Sequence, residues 1–215
     1  LSQEDLIAQV NRIGLAVIGQ SEGLATAVKK VYALRDVTGT VDSIPLIASS
    51  VKSKKLASGA QAILIDVKVG SGAFMKTIDD ARALAKAMVD IGRENGRSVK
   101  AVLTDMDRPL GHAIGNALEI REVIDTLKGH GPDDLTHECI IMAAHMRVLR
   151  HICDYETALS RVREALDSGA ALERLRLMID AQGGDSSVID DESLLAVGQC
   201  TYDVKAPKAG YITHM

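Results

Sequence analysis

Apolar positions in this chain fall into two alternating registers. Residues 62–67 (Ala-Ile-Leu-Ile-Asp-Val) and 98–104 are short, largely apolar runs bounded by turn residues, which predicts buried strands. Residues 14–19, Gly-Leu-Ala-Val-Ile-Gly, read the same way. Helical stretches separate them. Ser2 with Asp5 three residues on is a capping-box pattern for a short helix through Val10. Residues 26–36 read as helical. Asp42 or Ser43 caps a further helix that runs to about Ser58 and stops at Gly59. Pro45 sits in its first turn, where the missing N–H costs nothing. Thr77 caps a long helix to about Glu94, ended by Asn95-Gly96. Four more helical patterns follow, over 119–127, 135–153, 156–168 and 172–182. Residues 202–212 alternate as strands would around the turn Pro207-Lys208-Ala209-Gly210.

Strands separated by helices of this length predict an α/β fold, with a mixed or largely parallel sheet flanked by helices and then a helical stretch. The 215 residues are 47% hydrophobic and 25% charged, the balance of a chain that folds around a core. A net charge of −4 leaves no basic stripe for nucleic-acid phosphates. With no Trp, one Phe and four Tyr, there is no platform for base stacking. The longest apolar runs fall far short of the roughly 20 residues a membrane helix needs. Cys139, Cys153 and Cys200 form no C-x-x-C pair, so neither a disulfide framework nor a zinc knuckle is indicated. The expectation is a cytoplasmic protein. The chain opens at Leu1 on a capped helix and closes at Met215 just after new strands begin, which reads as a piece of something longer.

Three places carry candidate chemistry. Ser50 and Lys54, four apart on one helix face with Arg35 nearby in sequence, form a donor-rich set suited to carbonyl oxygens or an anion. A solvated basic face, with Lys52 and Lys55, accounts for the same residues. Asp66-Val67-Lys68-Val69-Gly70-Ser71-Gly72-Ala73-Phe74-Met75 is a strand running into a glycine-rich loop, at the sheet edge where α/β proteins place ligands. It matches neither G-x-G-x-x-G nor the P-loop pattern, and a tight structural turn competes with a phosphate cradle. Asp105-Met106-Asp107-Arg108-Pro109-Leu110-Gly111-His112 ends another strand. Its two aspartates could bind a metal or act as acid and base, but a turn closed by Asp side chains is the favoured reading. Gln182-Gly183-Gly184-Asp185 reads as a helix stop and loop.

In combination these residues go further. The run from Tyr32 through Leu34-Arg35-Asp36-Val37-Thr38-Gly39-Thr40-Val41-Asp42-Ser43 to Ser50 strongly resembles the pyrimidine-nucleoside phosphorylase and thymidine phosphorylase family. So do Ser53-Lys54-Lys55-Leu56-Ala57, the Asp66–Met75 segment, Asp105-Met106 with Pro109-Leu110-Gly111, Gly115-Asn116-Ala117-Leu118-Glu119, and Gln182-Gly183-Gly184-Asp185. The resemblance implies a transferase that carries out reversible phosphorolysis of uridine, thymidine or deoxyuridine to the free base and a pentose 1-phosphate. It implies a homodimeric parent with a helical lobe, a larger α/β lobe and a cleft between them. By resemblance, Arg35, Ser50 and Lys54 hold the pyrimidine, Arg35 and Lys54 as catalytic cations. Val41, Ile47 and Phe74 form the pocket's apolar wall. The carbonyls of Leu110 and Ala113 with the Glu122 carboxylate match a potassium site. Inorganic phosphate is the co-substrate.

The family's Lys-His-Ser-Thr-Gly-Gly phosphate loop is absent from these residues, and the resemblance places it, with the helical lobe, before Leu1. The implied division is an α/β domain over 1–198 and, over 199–215, the opening strands of a β-rich C-terminal domain. The chain then supplies the pyrimidine half of the site and is inactive alone. The alternatives are a thymidine-specific phosphorylase, a phosphoribosyltransferase of the anthranilate type, and a non-catalytic binding or assembly fragment.

Overall fold

A computed structural model describes residues 2–17, 34, 37–40, 43–196, 198 and 200–212, with backbone alone for residues 3, 51, 52, 54 and 57. The first helix, α1 (Gln3–Ile13), starts where the capping box lies. The Ser2 hydroxyl accepts from the Asp5 amide at 3.1 Å, and the Asp5 carboxylate accepts from the Ser2 amide at 3.1 Å. Gly14, at φ +84°, closes it in the left-handed conformation that glycine adopts freely. Residues 15–17 form no strand, against the apolar pattern of 14–19, and residues 18 and 19 lie outside the described set. Their backbone is met by a side chain instead. Gln182 donates to the Val17 carbonyl (2.8 Å) and accepts from its amide (3.0 Å), the exchange a neighbouring strand would make. The helix expected over 26–36 lies almost wholly outside the described residues.

Helix α2 (Ile44–Ala57) begins after Ser43, whose carbonyl accepts from Ile47 at 2.9 Å, and has Pro45 in its first turn. Two strands, β1 (Ala62–Val69) and β2 (Ser98–Asp105), pair in parallel from Ala62 opposite Ser98 to Val69 opposite Asp105. Helix α3 (Ile78–Glu94), capped by Thr77 as its sequence predicts, makes the crossover between them. Ala81, Leu84, Ala85 and Met88 form its buried stripe at helical spacing. They pack on Ile63, Ile65, Val67 and Val99, with Ala48 of α2 completing the core. Each buried Ile, Leu or Val contributes about 1.5–3 kcal/mol.

The other face of the sheet is polar. Lys68 lies 2.7 Å from Glu138 and 2.9 Å from Asp66, and the Lys100 ammonium is 3.0 Å from His145 Nδ1. Glu138 and His145 belong to helix α5 (Asp133–Leu149), which covers that face after α4 (Asn116–Leu127). Helices α6 (Tyr155–Asp167) and α7 (Ala170–Ala181) follow, then two 3-10 turns at Ser186–Ile189 and Glu192–Leu194. The architecture is thus α/β, with the expected parallel pairing and helical second half. The strands expected in 202–212 do not form: the described residues 200–212 carry no regular structure. Tyr202, Val204 and Tyr211 are almost fully exposed, and among the described residues no strand pairs with them.

Candidate functional site

The carboxyl ends of β1 and β2 carry the glycine loop and the Asp105–Asp107 segment, and the structure ties the two together. Gly70 donates to the Met75 carbonyl at 3.0 Å, and Gly72 to the Met106 carbonyl at 3.0 Å. Ala73 donates to Gly70 at 3.0 Å. Ser71 donates to Asp107 Oδ1 at 2.7 Å. All four successive amides are therefore used within the protein, and none is left to cradle a phosphate. The loop is a tight structural turn. Met106 closes the clamp by donating to Val69 at 2.7 Å. Asp105 Oδ1 accepts from the Asp107 amide at 2.9 Å, so this acidic pair works as a turn. Among the described residues no three His, Cys, Asp or Glu converge as a metal site.

The clamp positions one residue of interest. Directly after the turn Met75 is buried, forming a lone parallel bridge with Val69, and its neighbour Phe74 is left 58% exposed. Phe74 lines a cavity of about 520 Å³ with Ile47 from α2. Ile65, Val67, Met88 and Met106 add to its apolar wall, and residues Lys68 and Lys76 also line it. Two of the three residues expected on an apolar wall, Ile47 and Phe74, are thus brought together from elements 27 positions apart in sequence. Ser50 lies one helical turn on from Ile47 and is half-buried. Arg35 and Val41 lie outside the described residues, as does the side chain of Lys54, whose backbone is in α2.

A second cluster forms where β2 leads into α4. Glu122 Oε1 accepts from the amides of His112 (2.8 Å) and Ala113 (3.0 Å). Its Oε2 occupies the space a Cβ on Gly111 would need, and Gly111 sits at φ +70°. The loop from Leu110 to Ala113 thus wraps a carboxylate, one oxygen of which accepts no hydrogen bond among the described residues. An oxygen-only donor set of low charge fits a monovalent cation better than a zinc-type ion.

The polar layer under α5 was not apparent from the motifs, although Asp66 and Lys68, two apart on one strand, are the signal that a sheet face is charged. Burial pulls the Lys68 pKa down, but the hydrogen bonds and charges of Glu138 and Asp66 outweigh it and hold the ammonium above its ordinary value. Thr104 donates to Asp66 and completes the set.

With that geometry in place, comparison with known proteins is decisive. Residues 1–172 match the family described as "Glycosyl transferase family, a/b domain". The chain belongs to this family. Over its whole length it is 53% identical to the pyrimidine-nucleoside phosphorylase of Staphylococcus aureus strain bovine RF122 / ET3-1. It is likewise 53% identical over its whole length to that of strain USA300. The chain spans about half the length of these relatives, 50% of each. Such identity carries the resemblance read in Tyr32–Ser50, Asp66–Met75 and Gln182–Asp185 well beyond isolated motifs. Among the described residues no helix is long and apolar enough to cross a membrane.

Proposed function

We propose that this chain carries the pyrimidine-binding portion of a pyrimidine-nucleoside phosphorylase, which cleaves uridine, thymidine or deoxyuridine with inorganic phosphate in the cytoplasm as a homodimer. The observation that supports it most directly is the apolar cavity where Ile47 meets Phe74, next to the helix that carries Ser50 and Lys54. A planar base lies against such a wall with its carbonyls and ring N–H turned to the hydroxyl and cations of Ser50, Lys54 and Arg35, and Val41 extends the wall. As phosphate attacks the anomeric carbon, the C–N bond breaks and the base leaves with growing negative charge. Arg35 and Lys54 stabilise that charge more in the transition state than in the ground state, where the base is neutral. Leu110 and Ala113 carbonyls with Glu122 would hold a potassium ion, a charge that fastens the β2–α4 loop. The committed amides of Gly70–Ala73 leave none for phosphate in that loop, and the family resemblance places the phosphate loop outside these residues.

Phe74 is the only phenylalanine, so its ring signals in a selectively labelled sample are unambiguous. Uracil shifts those signals saturably, and in calorimetric titration with uracil Phe74→Ala or Lys54→Ala weakens binding about tenfold or more, the equivalent of one lost charged or stacking contact. The 215-residue chain releases no uracil from uridine with phosphate. Phosphate-dependent release by this chain would overturn the assignment of the phosphate site. An unmoved Phe74 signal would overturn the pyrimidine site itself.

A further inference from the structure

On the side of α5 turned away from the sheet, helices α4, α5, α6 and α7 enclose a cleft of about 320 Å³. That lies within the range of pockets that hold small molecules, about 300–1,000 Å³. Its walls are apolar, with Val123 and Leu127 from α4, Ile140 from α5, and Val162 and Leu166 from α6. Two arginines, Arg147 of α5 and Arg161 of α6, line the same cleft. Neither forms an ion pair among the described residues, and no Asp or Glu lines the cleft. The Nε of Arg147 is buried with no acceptor among the described residues. A buried donor on a charged group without a partner costs free energy that an incoming acceptor recovers. Arg97 and Arg121 also bury an Nε without a hydrogen-bond acceptor among the described residues, but Arg121 lies 3.4 Å from the Glu192 carboxylate, whereas no carboxylate lines the cleft around Arg147. An apolar channel that holds one guanidinium with a buried, unpartnered Nε, Arg147, and a second, solvent-exposed one at its rim, Arg161, is complementary to an anion with an apolar body.

We propose that this cleft binds a small organic anion with an apolar body, a medium-chain carboxylate, its carboxylate on Arg147 and Arg161 and its chain along Leu127, Ile140 and Leu166. The planar guanidinium suits a carboxylate through paired N–H donors. A monoanion also loses less hydration on entering apolar walls than a dianionic phosphate does. The site is separate from the Ile47–Phe74 cavity, across the sheet and α5, and does not depend on the pyrimidine assignment.

Cys139 lines the cleft and reports on it once Cys153 and Cys200 are replaced by serine. Octanoate is the probe, and 1-octanol is the same chain without the charge. Octanoate is expected to shift the methyl resonances of Leu127, Ile140 and Leu166 saturably and to slow alkylation of Cys139 by iodoacetamide. It binds at least about tenfold more tightly than 1-octanol, the ratio one charge-assisted hydrogen bond supplies. The double variant Arg147→Met, Arg161→Met keeps 1-octanol binding, which shows that it is folded, and loses the preference for the anion. Equal binding of the two probes to the unaltered arginines, or shifts at methyls elsewhere, would overturn the proposal. So would Cys139 protection that is present without a probe and lost on dilution, since it would assign the cleft to a second copy of the chain.

Discussion

At Gly70 two constraints meet, and each alone would select glycine. Its φ of +135° lies where side chains are rarely tolerated, and an added Cβ would stand 2.7 Å from the Asp107 amide nitrogen and 2.8 Å from the Met106 carbonyl carbon. Those are backbone atoms, locked by the hydrogen bonds of the clamp, and cannot swing aside. Gly96, at φ +68°, has nothing within 4 Å of the same position. Gly70→Ala is therefore expected to cost about 3 kcal/mol or more, strain plus collision, and Gly96→Ala about 1 kcal/mol. Thermal unfolding separates the two, because in a chain of this size 1 kcal/mol moves the midpoint by about 2–4 °C. Similar midpoints for the two variants would show that the turn yields and that the clamp is not rigid. The role of Asp107 is as an acceptor for Ser71 and needs no charge. Asp107→Asn is then expected to be close to neutral, whereas Asp107→Ala leaves the Ser71 amide unpaired and costs about 1–3 kcal/mol.

Between elements, the sheet treats its two helical neighbours differently, and this controls a titration. His145 of α5 faces Lys100 of β2 and stacks on Tyr155 of α6, ring centroids 4.9 Å apart, beside the Asp66–Lys68–Glu138 set. Burial first, and the Lys100 charge second, hold its pKa below the ordinary value. The unfolded chain thus binds a proton that the folded one refuses. Stability from this contact is complete above about pH 6.5, the ordinary histidine value, and falls as pH drops through the depressed folded value. A proton NMR titration of His145 is expected to show a midpoint below the ordinary histidine value of about 6.5. Lys100→Met raises it only part of the way, because burial is the larger cause. Full recovery in that variant would make the charge the dominant cause and contradict this ordering. Little of this layer was legible in the sequence, because it depends on which helix covers which face. What was legible is what local chemistry dictates: the Ser2–Asp5 and Thr77 caps, the stops at Gly59 and Asn95-Gly96, and the strands β1 and β2. The runs 14–19 and 202–212 read as strands, yet their described residues form none. Apolar spacing says that a segment can pair but not that a partner is present, and Gln182 takes that place beside Val17. Of the candidate site, family resemblance names Ile47 and Phe74, which line one cavity, while the Met106–Asp107 clamp beside them reads in the sequence only as a turn.

Across the whole molecule, cohesion is uneven, and the unevenness has a measurable consequence. The contiguous core runs from Ala48 to Val99, joining α2, β1, α3 and β2 through ten buried apolar side chains. The helical half has far less: Ile124, Ala144, Ala158 and Ile189 are its buried apolar residues, and α7 has none among those described. Its polar contacts with the sheet are the Lys68–Glu138 ion pair and the Lys100–His145 hydrogen bond, and a partly exposed ion pair of this kind contributes only about 0–1 kcal/mol. The 3-10 turns are tied back similarly, by Arg176 to Asp190 and by Arg121 and Lys128 to Glu192. Salt screens such exposed pairs and leaves apolar burial intact. The helical half should therefore open before the sheet does. In native-state hydrogen exchange, the amides of α6 and α7 are expected to exchange through openings at least about 1–2 kcal/mol easier than those exposing Ile65 and Val67, with a smaller dependence on denaturant. Raising the salt concentration should widen that gap, because it weakens the charged seam selectively. A single exchange free energy shared by α7 and β1, unchanged by salt, would mean that the two halves unfold as one unit and that the polar layer couples them as firmly as an apolar core would.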